Sequence, residues 1–170
     1  MSGLKRHTVK LEKHNPKWAN KFEMEKKSLS EILGDKAIGI HHIGSTAVSG
    51  ISAKPIVDIA VEVENFSVLE RLNDKLKEKG FIYRPIHDKI YKRLYIKGGK
   101  DFRSHHIHFY KKDSEQLKND LFFRDYLINH PETAKQYDEL KRTLAAEYPD
   151  DRKKYTKSKN EFIESILAKR

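Results

Sequence analysis

The 170-residue sequence contains no cysteine. This excludes a disulfide framework, a thiolate nucleophile and a cysteine-bound zinc site, so any metal ion must be held by histidine, aspartate or glutamate. No apolar run approaches the roughly 20 residues of a membrane-spanning helix, and the first residues lack the apolar stretch of a signal peptide. We therefore expect a soluble, cytoplasmic protein with no membrane partner.

Positive charge is what the sequence has in excess. It carries 35 lysine and arginine residues against 25 aspartate and glutamate residues, which gives a formal net charge of +10 at pH 7. This balance favours acidic partners such as a nucleotide, another phosphorylated small molecule or RNA. The length suits a single domain over residues 1–170, because no linker or internal repeat interrupts it. The sequence indicates no oligomeric state.

The hydrophobic spacing predicts an α+β fold with a mixed or antiparallel sheet of about five strands. Asn15 and Pro16 predict the start of a first helix, and Ser67 is expected to cap a second one. Three further helical segments are predicted after Ser114. The strands are expected at 38–43, 56–63, 81–83, 89–96 and 105–110, with a turn at 97–101 between the last two.

Alternation along these strands separates an apolar face from a polar one. Asp58 is predicted to point away from the apolar side of the second strand, and His106 and His108 share the polar side of the last strand. In the strand at 89–96, the same rule assigns Leu94 and Ile96 to the core face. It assigns three residues to the polar face: Tyr91, Arg93 and Tyr95. If the strands are neighbours, the carboxylate, the two imidazoles and the Arg93 guanidinium converge on one open face.

One carboxylate and two imidazoles can supply the ligands of a divalent metal ion. Such a set suits Mn²⁺, Fe²⁺ or Zn²⁺ better than Mg²⁺, which prefers oxygen ligands. A shared ion requires Asp58 within about 8 Å of His106 or His108. One alternative is that both are hydrogen-bonded histidines of a half-exposed sheet. Another is a hydrolase site with His42 as a fourth ligand, although its parity with Ile38 and Ile40 favours a buried structural role.

A Gly-Ser turn precedes the strand that carries Asp58. Gly44 and Ser45 would present backbone N–H groups and a hydroxyl that can hold phosphate oxygens, and Lys54 adds a positive charge. The alternative is an ordinary turn in which Ser45 and Thr46 cap local backbone groups. The carboxylate downstream favours the phosphate-binding interpretation.

The segment from His42 through the Gly-Ser turn to Asp58 resembles the signature of the GrpB family, a branch of the nucleotidyltransferase superfamily with a DNA polymerase β-like fold. Ser49 stands where the family motif usually has proline. Further blocks extend the resemblance over nearly the whole chain, at 15–18, 103–108, 123–127, 137–141 and 155–159.

This resemblance implies one nucleotidyltransferase-like domain, with a mixed sheet of about five strands, helices on one face and further helices at the C-terminus. It implies that Asp58 is the catalytic and metal-binding carboxylate, and that Gly44 and Ser45 hold the phosphates of a nucleotide. The remaining phosphate-binding candidates are Thr46, Lys54, Arg93 and Arg103, and the further metal-binding candidates are His106 and His108.

The sequence departs from the active members of the superfamily at Ala60. Those members carry a second carboxylate two residues after the first, about 6.6 Å away on the same strand face, and the two hold a pair of divalent ions. Glu62 stands roughly 13 Å from Asp58, too far to share an ion. Three hypotheses follow: a nucleotidyltransferase that uses Mg²⁺, Mn²⁺ or Zn²⁺, an inactive module that binds a phosphorylated ligand or RNA, and a metal-dependent hydrolase.

Overall fold

The structure is a computed structural model that describes residues 4–5, 8–99 and 102–170. Within these residues the chain forms six strands and six α-helices. The strands are β1 (Leu4–Lys5), β2 (Ala37–Ile43), β3 (Val57–Val63), β4 (Ile82–Tyr83), β5 (Lys92–Gly98) and β6 (Phe102–Lys111). The helices are α1 (Lys17–Leu33), α2 (Ser67–Glu78), α3 (Glu115–Asn129), α4 (Pro131–Glu147), α5 (Arg152–Ser158) and α6 (Asn160–Leu167).

The sheet is mixed, as the sequence predicts. Its strand order is β2-β3-β6-β5-β4, and the two-residue β1 pairs with β6. The central strands β3 and β6 run parallel, whereas the other pairs of described strands are antiparallel. This central pair brings the strand with Asp58 directly beside the strand with His106 and His108.

One face of the sheet carries the main core. The odd-numbered residues of β3 are fully buried there together with Ile107 and Phe109 of β6, as the alternation predicts. Helices α1 and α2 supply the opposing apolar side chains, which include Trp18, Leu29 and Leu76. Burial of these side chains fixes the register of both central strands, because a shift by one residue would expose every one of them.

The helix starts show one correct prediction and one correction. Asn15 lies just before α1, and its side-chain oxygen accepts a hydrogen bond at 3.0 Å from the N–H of Lys17, the first residue of the helix. Ser67, by contrast, is the first residue of α2, and its N–H donates to the side-chain oxygen of Asn65 at 3.1 Å. An asparagine is as good a capping residue as a serine, and Asn65 makes the side-chain hydrogen bond that was expected of Ser67.

The middle of the chain differs from its predicted boundaries. β5 begins at Lys92 instead of residue 89, because a 3-10 turn at Pro85–His87 and the following residues fill the segment before it. Its end includes Lys97 and Gly98, which were predicted to lie in the turn. The rest of that predicted turn extends to Lys100 and Asp101, which lie outside the described residues.

The C-terminal part contains one helix more than predicted, since α5 was missed between α4 and α6. Helix α3 packs on the face opposite the main core, where Leu117 joins Ile43, Ala60 and Tyr110 in a second apolar cluster. That face is therefore open only in part. Among the described residues, no helix has both the length and the apolarity needed to cross a membrane.

Candidate functional site

Asp58 lies at the centre of the sheet, on the face opposite the main core. Its register neighbours are Ile43 in β2 and His106 in β6. The next row along the strands places Ala60 between His41 and His108. The parity of β3 and β6 thus sets the carboxylate and the two imidazoles side by side.

The three polar side chains meet at one oxygen atom. His108 Nε2 lies 3.0 Å and His106 Nδ1 lies 3.4 Å from Asp58 Oδ1. One ligand atom from each residue falls within 4.8 Å of the other two. The predicted convergence of these side chains is correct, and their separation is well inside the limit of about 8 Å that a shared ion requires.

Hydrogen bonding keeps Asp58 ionised. Burial raises the pKa of Asp58, but the hydrogen bonds from His106 and His108 outweigh it and hold the pKa well below its usual range. Burial lowers the pKa of His106, although its hydrogen bond to Asp58 and the nearby negative charge act in the opposite direction. The site therefore presents a carboxylate beside an imidazole that is neutral at pH 7, which is the protonation state that metal ligation requires.

Ala60 occupies the position of the expected second carboxylate. It is 0% exposed and packs with Ile43, Tyr110 and Leu117. Its register neighbour His108 stacks near Tyr110, with the ring centroids 6.4 Å apart, and reaches back along the strands to Asp58. An imidazole from the adjacent strand thus lies where this strand offers no carboxylate.

The Gly-Ser turn lies against Asp58. Gly44 has a φ angle of 72°, and a Cβ atom at this position would lie 3.0 Å from Asp58 Oδ2. A 3-10 turn follows at Ser45–Ala47. The backbone can approach the carboxylate closely only because residue 44 has no side chain.

Thr46 and His42 brace this turn from the core side. Thr46 is buried, and its hydroxyl lies 2.9 Å from His42 Nε2. The His42 ring stacks on Phe22 with centroids 4.9 Å apart, and its carbonyl accepts a hydrogen bond from Arg124 at 2.9 Å. Burial lowers the pKa of His42 to about 4. His42 is half-buried and supports the turn, as the structural interpretation favours, and it does not join the cluster around Asp58.

A wall of basic side chains faces the cluster across a cavity of about 220 Å³. Three of them lie near tyrosine rings: Lys54 and Lys159 are 5.5 and 4.5 Å from the Tyr155 centroid, and Lys141 is 5.0 Å from that of Tyr137. Arg152 also lines the cavity. Among the described residues that line it, Asp58 is the only acidic one.

Burial weakens the hold of these lysines on their protons. Burial, together with the neighbouring cations, lowers the pKa of Lys54 and of Lys141 to about 7 and that of Lys159 to about 8. Burial also lowers the pKa of Arg152. A multiply charged anion would relieve the mutual repulsion of these groups, so the wall favours a ligand with several negative charges.

Two predicted site residues lie elsewhere. Arg93 is paired with Phe109 on the core face, where its guanidinium lies 4.3 Å from the Phe66 ring and its Nε lies 3.2 Å from Asp88. Arg103 is buried, shares the face of Ile107 by its position in β6 and does not line the cavity. The predicted convergence of Arg93 with Asp58 is therefore wrong.

The reason is an inverted face assignment for β5. Tyr95 pairs with Ile107 and is buried in the main core, where its hydroxyl donates to Asn73 at 3.2 Å. Leu94 and Ile96, which the alternation assigned to the core, instead flank His108 and His106. A tyrosine with a buried partner behaves as a core residue, and the sequence pattern does not show that partner.

Sequence reasoning missed the basic residues near the C-terminus that line the cavity. Lys141, Arg152 and Lys159 were not predicted as phosphate ligands, although two of them end the blocks 137–141 and 155–159 that carry the family resemblance. Each block has a tyrosine and a lysine four residues apart, a spacing that sets the two on one side of a helix. This repeated pair was the available signal.

Comparison with known proteins agrees with this architecture. A family model described as "GrpB protein" matches residues 8–169. The UPF0157 protein YqkA of Bacillus subtilis (strain 168) is 37% identical over 157 residues, which make up 92% of this chain but 46% of that protein. Glutamate-rich protein GrpB of Alkalihalophilus pseudofirmus is 34% identical over 178 residues, with 98% of each chain covered. The chain thus spans less than half of YqkA and nearly all of the second relative.

Solved structures are also similar to this chain. The conserved protein GrpB from Enterococcus faecalis has a TM-score of 0.87 and 34% identity, covering 94% of this chain and 96% of its own. The Cid1 poly(U) polymerase bound to MgATP has a TM-score of 0.56 and 14% identity over 79% of this chain and 44% of its own, a likeness that shows the nucleotidyltransferase fold. Matched over almost its whole length by the family model and by the Enterococcus faecalis structure, the chain belongs to the GrpB family.

Proposed function

We propose that this protein binds the phosphate groups of a nucleotide together with a divalent metal ion and transfers the nucleotidyl group to an acceptor. The observation that carries this proposal is one cavity lined both by Asp58 and His106, two members of the possible metal-binding cluster, and by four basic side chains. With a single acidic residue among its described lining, the cavity suits a polyanion that brings its own cation.

The possible metal-binding cluster and the basic residues have separate parts in binding. Asp58, His106 and His108 are the residues that would hold the ion, and their donor atoms are already within 4.8 Å of one another. When bound, such an ion offsets negative charge on phosphate oxygens. The backbone N–H groups of Gly44 and Ser45 would donate to the same phosphates, and the closeness of Gly44 to Asp58 supports this role.

The basic wall would act on the leaving group. In the transfer, the acceptor hydroxyl oxygen bonds to the α-phosphorus, the bond from that phosphorus to the oxygen bridging to the β-phosphorus breaks, and the hydroxyl proton passes to solvent. Pyrophosphate leaves with the bridging oxygen and its added negative charge. The basic residues Lys54, Lys141, Arg152 and Lys159, which line the cavity, would stabilise that charge.

The test separates binding from transfer. Nucleoside triphosphates labelled at the α-phosphate are incubated with the purified protein, a divalent metal, and either an RNA oligonucleotide or a pool of small hydroxyl compounds. We expect thermal stabilisation by the nucleotide, release of pyrophosphate and labelling of an acceptor. Lys54→Met should abolish all three, whereas Lys10→Met, at an exposed position outside the cavity, should leave them unchanged.

A second function is favoured by Ala60. Its burial in an apolar cluster leaves the strand without the second carboxylate of efficient two-ion transfer. The protein would then bind a phosphorylated ligand without reacting it. Stabilisation that depends on Lys54 but yields no pyrophosphate with any acceptor would support this second function, and the absence of stabilisation by every nucleotide would overturn the first.

A further inference from the structure

The donor atoms around Asp58 have the spacing of a coordination sphere. Ligands that lie about 2.0–2.1 Å from one ion at tetrahedral or octahedral angles are separated from each other by about 2.9–3.4 Å. His108 Nε2 and His106 Nδ1 lie 3.0 and 3.4 Å from Asp58 Oδ1. The arrangement thus already matches the separations that one shared ion would impose on the carboxylate and each imidazole.

The chemistry of these donors disagrees with the ion that the fold implies. A nucleotidyltransferase with two carboxylates holds Mg²⁺, a hard ion that prefers oxygen ligands. Here two of the three donors are imidazole nitrogens, which favour Mn²⁺, Fe²⁺, Co²⁺ or Zn²⁺. A carboxylate with two histidines also leaves coordination positions free for a ligand.

The surroundings provide no second ion site. Among the described residues, no other group of three or more histidine, aspartate or glutamate side chains has the spacing of a metal site. Ala60 is fully buried, and Glu62 is engaged elsewhere because its Oε1 accepts a hydrogen bond from the Asp113 N–H at 3.0 Å. The far ring nitrogens, His106 Nε2 and His108 Nδ1, are buried without a hydrogen-bond partner, so Asp58 is the common partner of both rings.

We infer that the site binds a single transition-metal ion instead of a pair of Mg²⁺ ions, and that His108 supplies from β6 the ligand that Ala60 does not supply from β3. The inference rests on the proposed function and specifies the ion of that same cavity. It explains why Ala60 lies beside a histidine: the imidazole reaches past the small side chain to the ion that Asp58 and His106 share.

The experiment uses metal ions alone as probes. The full chain is stripped with a chelator and titrated with Co²⁺, which gives a visible ligand-field spectrum when bound by nitrogen and oxygen donors, and bound metal is counted by equilibrium dialysis with elemental analysis. We expect one Co²⁺ per chain, displaced by Zn²⁺ but not by a hundredfold excess of Mg²⁺. Two ions per chain, or displacement by an equal concentration of Mg²⁺, would overturn the inference.

Three variants assign the ligands. His108→Asn should weaken Co²⁺ binding by more than about 100-fold, since loss of a mere supporting contact costs about 10- to 100-fold. His130→Gln, an exposed histidine outside the cluster, is the matched control and should bind Co²⁺ like the parent chain. His108→Asp places a second carboxylate beside Asp58 and should shift the metal preference of the site towards Mg²⁺. This variant tests the same position if His108→Asn does not fold.

The outcome is distinguishable from failure of the proposed function. Because no nucleotide is present, Co²⁺ binding that requires His108 would stand even if no nucleotide binds. An unchanged Co²⁺ spectrum in a folded His108→Asn variant would sink the inference, even if nucleotide binding through Lys54 persists.

Discussion

Gly44 is the residue at which the turn and the metal cluster constrain each other. Its φ angle of 72° is rare for any residue with a side chain, and the space where a Cβ would sit is occupied by the Asp58 carboxylate at 3.0 Å. Gly50, in the same loop, also has a positive φ of 83°, but a Cβ added there would have no neighbouring atom within 4 Å. A substitution at Gly50 would therefore cause backbone strain alone, whereas the same substitution at Gly44 would cause backbone strain and crowd Asp58.

We predict that Gly44→Ala and Gly50→Ala both lower the free energy of unfolding, by about 1–3 kcal/mol each, because both force alanine into an unfavourable backbone region. Gly44→Ala alone should also displace Asp58 and weaken Co²⁺ binding at least about tenfold. Urea denaturation and Co²⁺ titration of the two variants measure these effects. Equal Co²⁺ affinity in both would show that Gly44 does not position the carboxylate.

At the scale of elements, β3 and β6 were predictable and β5 was not. The alternation of β3 is unambiguous because its odd-numbered residues are all β-branched, and that alone placed Asp58 on the opposite face. In β5 both faces carry apolar side chains, since Leu94 and Ile96 flank the histidines while Tyr95 lies in the core. A strand covered on both sides has no polar face for the sequence to reveal.

The position of the basic wall could not be predicted from the sequence, for a different reason. It is assembled from residues of α4, α5 and the α5–α6 junction together with Lys54, which lies 87 to 105 residues earlier in the chain. Helical periodicity predicts which face of α4 is buried, but it does not specify which loop that face covers. In the structure Asp138 accepts from the Ser52 N–H at 2.6 Å and Lys141 donates to the Ser52 carbonyl, so α4 grips the loop that leads to Lys54.

We predict that the stability of the metal-free protein rises between pH 7 and pH 9. Burial lowers the pKa of Lys141 to about 7 in the folded state. The unfolded chain keeps that proton up to about pH 10.4, so above pH 7 it binds more protons than the folded chain. The free energy of unfolding therefore increases as the pH rises. A fully shifted lysine contributes at most about 1.4 kcal/mol per pH unit. Lys141→Met should reduce the slope of this rise without abolishing it, because the pKa values of Lys54 and Lys159 are lowered as well.

Urea denaturation across this pH range measures the slope, and Lys135→Met, an exposed position on the same helix, is the control. The comparison concerns slopes, because loss of the contact with Ser52 also lowers the stability of Lys141→Met at every pH. The same slope in Lys141→Met and in the parent chain would contradict the lowered pKa of Lys141.

For the molecule as a whole, charge and shape act together. The chain has a formal net charge of +10, and the described lining of its cavity holds four basic residues and one acidic residue. The general charge raises the local concentration of anions, and the cavity concentrates the attraction at one place. Exposed charges separated by more than about 8–10 Å are screened at physiological salt, so only the cavity groups retain much of their attraction there.

We therefore predict that inorganic tripolyphosphate binds the metal-free protein and that its affinity falls at least about tenfold between 50 and 500 mM KCl. Metal-free buffer is needed because tripolyphosphate itself sequesters divalent ions. Isothermal titration at several salt concentrations gives the slope of log affinity against log salt.

Arg152→Gln should weaken binding and reduce that slope, because it removes one of the four cavity cations. Lys10→Gln, an exposed charge outside the cavity, should change neither by more than about twofold, since surface charges at a distance are screened. If Lys10→Gln changes the slope as much as Arg152→Gln does, the anion is held by the overall charge of the molecule and not by the cavity.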